Sequence, residues 1–338
     1  MEFQQVMQQI NKKQIDPIYT VVGPENYLKN QFMEGLFQQL GGIDVLDISR
    51  IDLQEVTMND VLDEAEMFSF FSDYRVLIVS NATFLNSQSK NKLTDSEQKR
   101  LLGYLDNPNQ ASILIFNVEN PSLDKRKKLT KSFNKQTKMV DISELDEGQV
   151  ARYVQSYINN LDISFTREAV EELLIRVNYQ LTNAMTEVNK LEIFGQTDGR
   201  ITLDSVRSLV PRTLESDVFQ LTNAVANKNI TQAIQIYQDL LLMRHEPIAL
   251  HALMVSQFRV IVQSMILGRQ GMNQADIAKQ LGIHPYRVKL ALTSGRSLQL
   301  PELLNFYVEM AEVDFGMKTG VGDKETHFYI LLSKLTSL

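Results

Sequence analysis

Apolar residues follow two rhythms over the first 140 positions. Short runs rich in β-branched and aromatic residues (Ile18–Val22, Val45–Ile51, Arg75–Val79, Ser112–Val118 and Lys138–Ile142) alternate with stretches of helical spacing near 25–40, 58–67, 94–106 and 124–134. Leu28, Phe32 and Leu36 give the first of these helices a period near 3.6. The unbroken apolar runs Val76–Val79 and Ile113–Phe116 suit strands buried on both faces of a parallel sheet. Five such strands between helices predict an open α/β sheet. The opening MEFQQVMQQINKK reads as a short amphipathic helix with Phe3, Val6, Met7 and Ile10 on one face. It lacks the apolar segment of an export signal.

From about 143 the strand signal almost disappears. Residues 146–207 carry apolar residues at helical spacing, broken near Asp162, Tyr179 and Gly195–Gly199. Pro211 marks a junction, and a longer helical region follows with breaks at Lys228–Asn229, Glu246–Pro247, Gly268–Gly271, Gly282–Pro285, Gly295 and Gly316–Gly322. The expected domains are therefore 1–142 (α/β), 143–210 (small, helical) and 211–338 (larger, helical). The apolar stretch 248–267 is interrupted by His251, Gln257, Arg259 and Gln263, which predicts a buried helix rather than a membrane span.

Charge and composition narrow the chemistry. Lys and Arg number 34 against 41 Asp and Glu, a net of −7, so overall charge does not hold this chain on nucleic acid, although a local patch could. The absence of cysteine removes disulfides, Cys-based zinc sites and a cysteine nucleophile. The four histidines form no HExxH. A cytoplasmic protein without cofactor or metal is expected.

Four segments are candidates for function. The turn after the first strand contains Gly23, Leu28, Lys29 and Asn30, where a phosphate-binding loop has G-x-x-x-x-G-K-[ST]. Leu28 replaces the glycine that lets backbone wrap the phosphates, and Asn30 replaces the magnesium-binding hydroxyl. Nor does a carboxylate follow the apolar strands: Ser80-Asn81 and Asn117 stand there, with Glu119 further on. The loop is expected to be non-functional.

The second segment, Met67-Phe68-Ser69-Phe70-Phe71-Ser72-Asp73-Tyr74, packs three Phe into four positions. Consecutive Phe70 and Phe71 cannot both point inward in a regular element. They read as a helix end folded on the core or as a protein-binding anchor. The third, residues 125–138, holds seven basic and no acidic residues; Lys125, Lys127, Lys128 and Lys131 are candidate DNA-phosphate contacts or a solvated helix face. The fourth, QADIAKQLGIHPYRVKLAL at 274–292, has helix-turn-helix spacing, with Tyr286, Arg287 and Lys289 available on its second helix.

In order and spacing, IYTVVGPENYLK, EMFSFFSDYRVLIVSNA, LDKRKKLTKSF, QLTNAMTEVNKLEIF, IAKQLGIHPYRVKLAL and AEVDFGMKTG together resemble the delta subunits of the bacterial DNA polymerase III clamp loader, of the Gram-positive kind. The resemblance spans essentially the whole chain. It implies a degenerate AAA+ (P-loop-like) α/β module, a helical lid and a helical collar that joins the loader ring. It implies a subunit without catalysis of its own, within a holoenzyme whose activity is that of a DNA-directed DNA polymerase, a nucleotidyltransferase. An active lid carries an arginine near the start of the helix at 181–194; here Gln180, Leu181 and Thr182 stand there. The implied role is to grip and open the sliding clamp (the beta subunit) through Phe68, Phe70 and Phe71, so that the clamp can be loaded on primed DNA during replication. The implied partners are that clamp, the tau/gamma and delta-prime loader subunits, and primed DNA within the complex, with no membrane. The alternatives from the residues alone are a DNA-binding regulator using 274–292 and a divergent P-loop ATPase.

Overall fold

The computed structural model describes residues 2–67, 72–86, 93–120, 123–124, 126–294 and 299–336. The chain divides into two compact units, Met1–Glu144 and Leu145–Leu338.

In the first unit the elements run α1 (Glu2–Asn11), β1 (Ile18–Val22), α2 (Asn26–Gln39), β2 (Asp47–Asp52), α3 (Met58–Glu66), β3 (Arg75–Ser80), α4 (Asp95–Asp106), β4 (Ser112–Val118), α5 (Lys128–Gln136) and β5 (Lys138–Asp141). The strands form one parallel sheet in the order β2-β3-β4-β1-β5. β1 and β4 are buried along their whole length, as expected for central strands covered on both faces. Phe133 of α5 packs edge-on against Phe116 of β4 (ring centroids 5.2 Å) and Phe84 (5.7 Å), fixing α5 over the sheet. Phe3, Val6 and Ile10 of α1 are buried, the amphipathic face read from the sequence.

Two boundaries differ from expectation. β2 begins at Asp47 rather than Val45, because Gly41 and Gly42 (φ +110° and +97°) turn the chain into a 3₁₀ turn at Ile43–Val45. α5 begins at Lys128 rather than 124, because the Asp124 carboxylate accepts from Arg126 N (3.1 Å) in a local turn.

α3 and α4 share one buried carboxylate. Glu97 Oε2 closes the α4 capping box with Thr94 N (2.8 Å), while its Oε1 accepts from Met58 N (3.1 Å) at the first turn of α3. Thr57 and Asp60 close a second box on α3 itself. Arg100 of α4 donates to Asn59 O (3.2 Å) and pairs with Asp63 (2.6 Å) and Glu66 (2.9 Å) along the same helix.

The second unit runs α6 (Glu147–Ile158), β6 (Ser164–Phe165), α7 (Arg167–Arg176), α8 (Leu181–Asp198), β7 (Arg200–Ile201), α9 (Leu203–Leu209), α10 (Leu214–Ala226), α11 (Ile230–Leu242), α12 (Pro247–Arg269), α13 (Gln274–Leu281), α14 (Pro285–Ser294), α15 (Leu300–Thr319) and α16 (Lys324–Thr336). β6 and β7 form a short parallel pair absent from the sequence reading. α8 passes through Gly195 because a Cβ there would lie within 3.0 Å of Ile163 and Ile201, which pack on it. α15 likewise runs past Gly316, where the His327 ring approaches. The break expected at Gly295 lies outside the described residues.

α12 is long and apolar enough to cross a membrane by length and composition. Its Leu250, Met254, Phe258, Ile261 and Val262 are buried in one core with α10, α11, α15 and α16. His251 is buried with them and donates Nε2–H to Met310 O at 2.8 Å; burial pushes its pKa down, keeping the ring neutral.

The shared carboxylate has a measurable consequence. Hydrogen bonds from Thr94, and secondarily from Met58, hold Glu97 below its ordinary pKa of 4.5. Its stabilisation is therefore full above that pH and is lost as pH falls through the lower native value. Glu97→Ala should cost about 1–3 kcal/mol in denaturant melts at pH 7. The gap to the unaltered chain should narrow as pH falls below 4.5.

Candidate functional site

α3 ends at a polar brace. The last carbonyls of a helix have no partner within it. Here Glu64 O accepts from Arg75 (3.3 Å), and Ala65 O accepts from both Asn109 (3.0 Å) and Ser112 (2.7 Å). Arg75 also pairs with Asp47 at 3.0 Å, and Ser49 Oγ donates to the Glu64 carboxylate. Beyond this brace the chain emerges apolar: Met67, the C-cap residue, is 56% exposed. Phe68, Phe70 and Phe71, the expected anchor, follow immediately and lie outside the described residues. The chain returns at Ser72, whose hydroxyl donates to Tyr74 O at 2.7 Å just before β3.

The loop between β1 and α2 is only Gly23-Pro24-Glu25, since α2 starts at Asn26. Gly23 N donates to Val118 O (2.9 Å) and Glu25 N to Ile142 O (3.0 Å). A Cβ on Gly23 would sit 2.4 Å from the Ile142 carbonyl group, so the turn is pressed flat on the chain leaving β5. The helix N-terminus, where a phosphate would bind, is already capped by a carboxylate: Glu25 accepts from Tyr27 N at 3.2 Å. Leu28 points into the core and Asn30 is exposed. At the end of β3, Asn81 takes φ +57° and donates to both oxygens of Asp52 (2.8 and 2.9 Å), which holds that carboxylate below the usual range. Asn117 is buried on β4 and Glu119 is exposed past its end. Among the described residues no cluster of three or more His, Asp or Glu could hold a metal.

The basic run is split. Lys128 and Lys131 are exposed on α5, and Lys125 lies outside the described residues. Lys127 is turned inward: its ammonium donates to Phe84 O (3.0 Å) and Asn86 O (2.7 Å).

The helix-turn-helix spacing is real, with Gly282 at φ +67° between α13 and α14. Arg287, however, pairs with Glu147 of α6 and donates to Gln257 at 3.1 Å. The other oxygen of Glu147 accepts from His284 N (2.6 Å) at the start of α14. A side chain offered for groove reading is thus tied within the second unit, and the regulator reading is not supported.

Family profiles match residues 19–143 (DNA polymerase III, delta subunit) and 215–335 (DNA polymerase III delta subunit, C-terminal domain). The chain is 32% identical to the DNA polymerase III subunit delta of Bacillus subtilis over 98% of its length and 96% of the relative's. The chain belongs to the DNA polymerase III delta-subunit family. A probable delta subunit of Aquifex aeolicus is 21% identical over 88% of this chain and 85% of that protein. The solved Bacillus subtilis DNA clamp loader delta protein superposes with a TM-score of 0.66 at 32% identity, covering 100% of both chains. The fold of this delta-family chain is a parallel α/β module and a predominantly helical unit that carries one short parallel strand pair.

Sequence reasoning missed the brace and the Glu25 cap of this delta-family chain. An acidic residue directly before a helix was a usable sign of the cap. Asn109 and Ala65 are 44 positions apart, and no local pattern links them. With the loop closed and its helix end capped by Glu25, calorimetry should find no micromolar Mg-ATP binding to the full chain. Saturating ATP should leave its melt unchanged, whereas a ligand at a hundredfold over its Kd would stabilise by about 2.7 kcal/mol. Micromolar binding abolished by Lys29→Ala would contradict this.

Proposed function

We propose that this chain is the non-catalytic subunit that binds and opens the sliding clamp so that it can be loaded on primed DNA. Family membership supports this, as does the clamp-loader role carried in the name of the Bacillus subtilis structure. The observation that carries the reading is the braced end of α3, which exposes Met67 and leads directly into Phe68, Phe70 and Phe71. A rigid helix end loses little entropy on docking, and aromatic anchors dominate interface energies.

The remaining assignments follow the same reading. Residues 1–142 form the AAA+-like module, 143–210 the lid and 211–338 the collar. The collar joins the tau/gamma and delta-prime subunits, and α15 offers a surface for it: Leu304, Val308, Ala311 and Phe315 are exposed at spacings of four, three and four residues. Primed DNA within the complex meets Lys128 and Lys131, and Lys125 earlier in the same basic run, through salt-sensitive phosphate contacts. Lys127 serves chiefly as an internal tie. The chain acts in the cytoplasm.

The test is the double change Phe70→Ala, Phe71→Ala. Losing interface aromatics from a desolvated pocket costs about 2–4 kcal/mol, or roughly 30- to 1,000-fold in clamp affinity. The expected result is that loss with an unchanged thermal melt. Unchanged affinity in a folded variant would refute the anchor, and a collapsed melt would assign the pair to the core.

A further inference from the structure

The 3₁₀ turn ahead of β2 carries two exposed apolar side chains, Ile43 and Val45, each 57% exposed. Single exposed aliphatics are common on protein surfaces and need no explanation. These two are distinguished by their position. β2 and β3 pair in parallel with Asp47 opposite Arg75, so the segments entering the two strands share one end of the sheet. Arg75 ties that end together, pairing with Asp47 at 3.0 Å and donating to Glu64 O at 3.3 Å. Met67 N donates to the same Glu64 carbonyl at 3.3 Å. Val45 is two residues before Asp47 and Met67 three after Glu64, so one arginine organises the approaches to both apolar segments. The consecutive left-handed glycines Gly41 and Gly42 turn the chain just before Ile43.

We propose that Ile43 and Val45, with Met67, form a second apolar contact for the sliding clamp beside the end of α3. This rests on the clamp-gripping reading above and extends the same surface across the edge of the sheet. The occupant is the clamp because Arg75 ties the strand that follows Ile43 and Val45 to the helix end that leads into the proposed anchor. A second foothold would restrain rotation about the anchor and add to its grip.

The test compares clamp affinity for the full chain, for Ile43→Ser, Val45→Ser and for Phe70→Ala, Phe71→Ala. The serine variant should bind about 5- to 20-fold more weakly with an unchanged melt, since both side chains are exposed. Should that variant melt early, Val45→Thr, which keeps the branched shape, decides by its own weakened or unchanged affinity. Unchanged affinity in the serine variant, alongside a lost grip in the phenylalanine variant, overturns this inference and leaves the clamp reading intact. Failure of the unaltered chain to bind the clamp overturns both.

Discussion

A single helix, held at both ends by side chains from elsewhere in the sheet module, organises the proposed site. α3 is only nine residues long, too short to persist alone in water. Its first turn leans on Glu97, its length on Arg100, and its last carbonyls on Arg75, Asn109 and Ser112. Glu97 at the first turn and Arg75, Asn109 and Ser112 at the last each bond a helix-terminal backbone group. The result is a helix whose end is fixed to the sheet while the next residue, Met67, faces solvent.

The same module departs from a nucleotide-binding geometry at its first turn. Its first strand and helix meet where a phosphate-binding loop would lie, but a three-residue turn leaves no room for backbone to encircle phosphates. Glu25 already supplies a negative cap there. At the neighbouring strand end, Asn81 occupies Asp52 with two hydrogen bonds. The polar groups at both places are engaged in internal hydrogen bonds.

Legibility in the sequence followed the range of the interactions. β1 and β4 matched their expected bounds because strands buried on both faces write continuous apolar runs. The start of β2 was misread because Val45 looks like strand but follows two left-handed glycines. The start of α5 was misread because Asp124 forms a local turn. Leu28 and Asn30 depart from the phosphate-loop pattern in the sequence itself, whereas the carboxylate cap emerged only with the helix start in place. Arg287 looked available to DNA because its partner, Glu147, is 140 positions away. Lys127 looked like a phosphate contact because its carbonyl partners are 41 and 43 positions away.

Amide hydrogen exchange on the full chain, with and without the sliding clamp, tests the central claim most directly. Clamp binding through the braced end of α3 predicts slowed exchange concentrated at 64–74 and at 43–46, with 274–292 unchanged. Protection confined to 274–292, or none anywhere at saturating clamp, would contradict it.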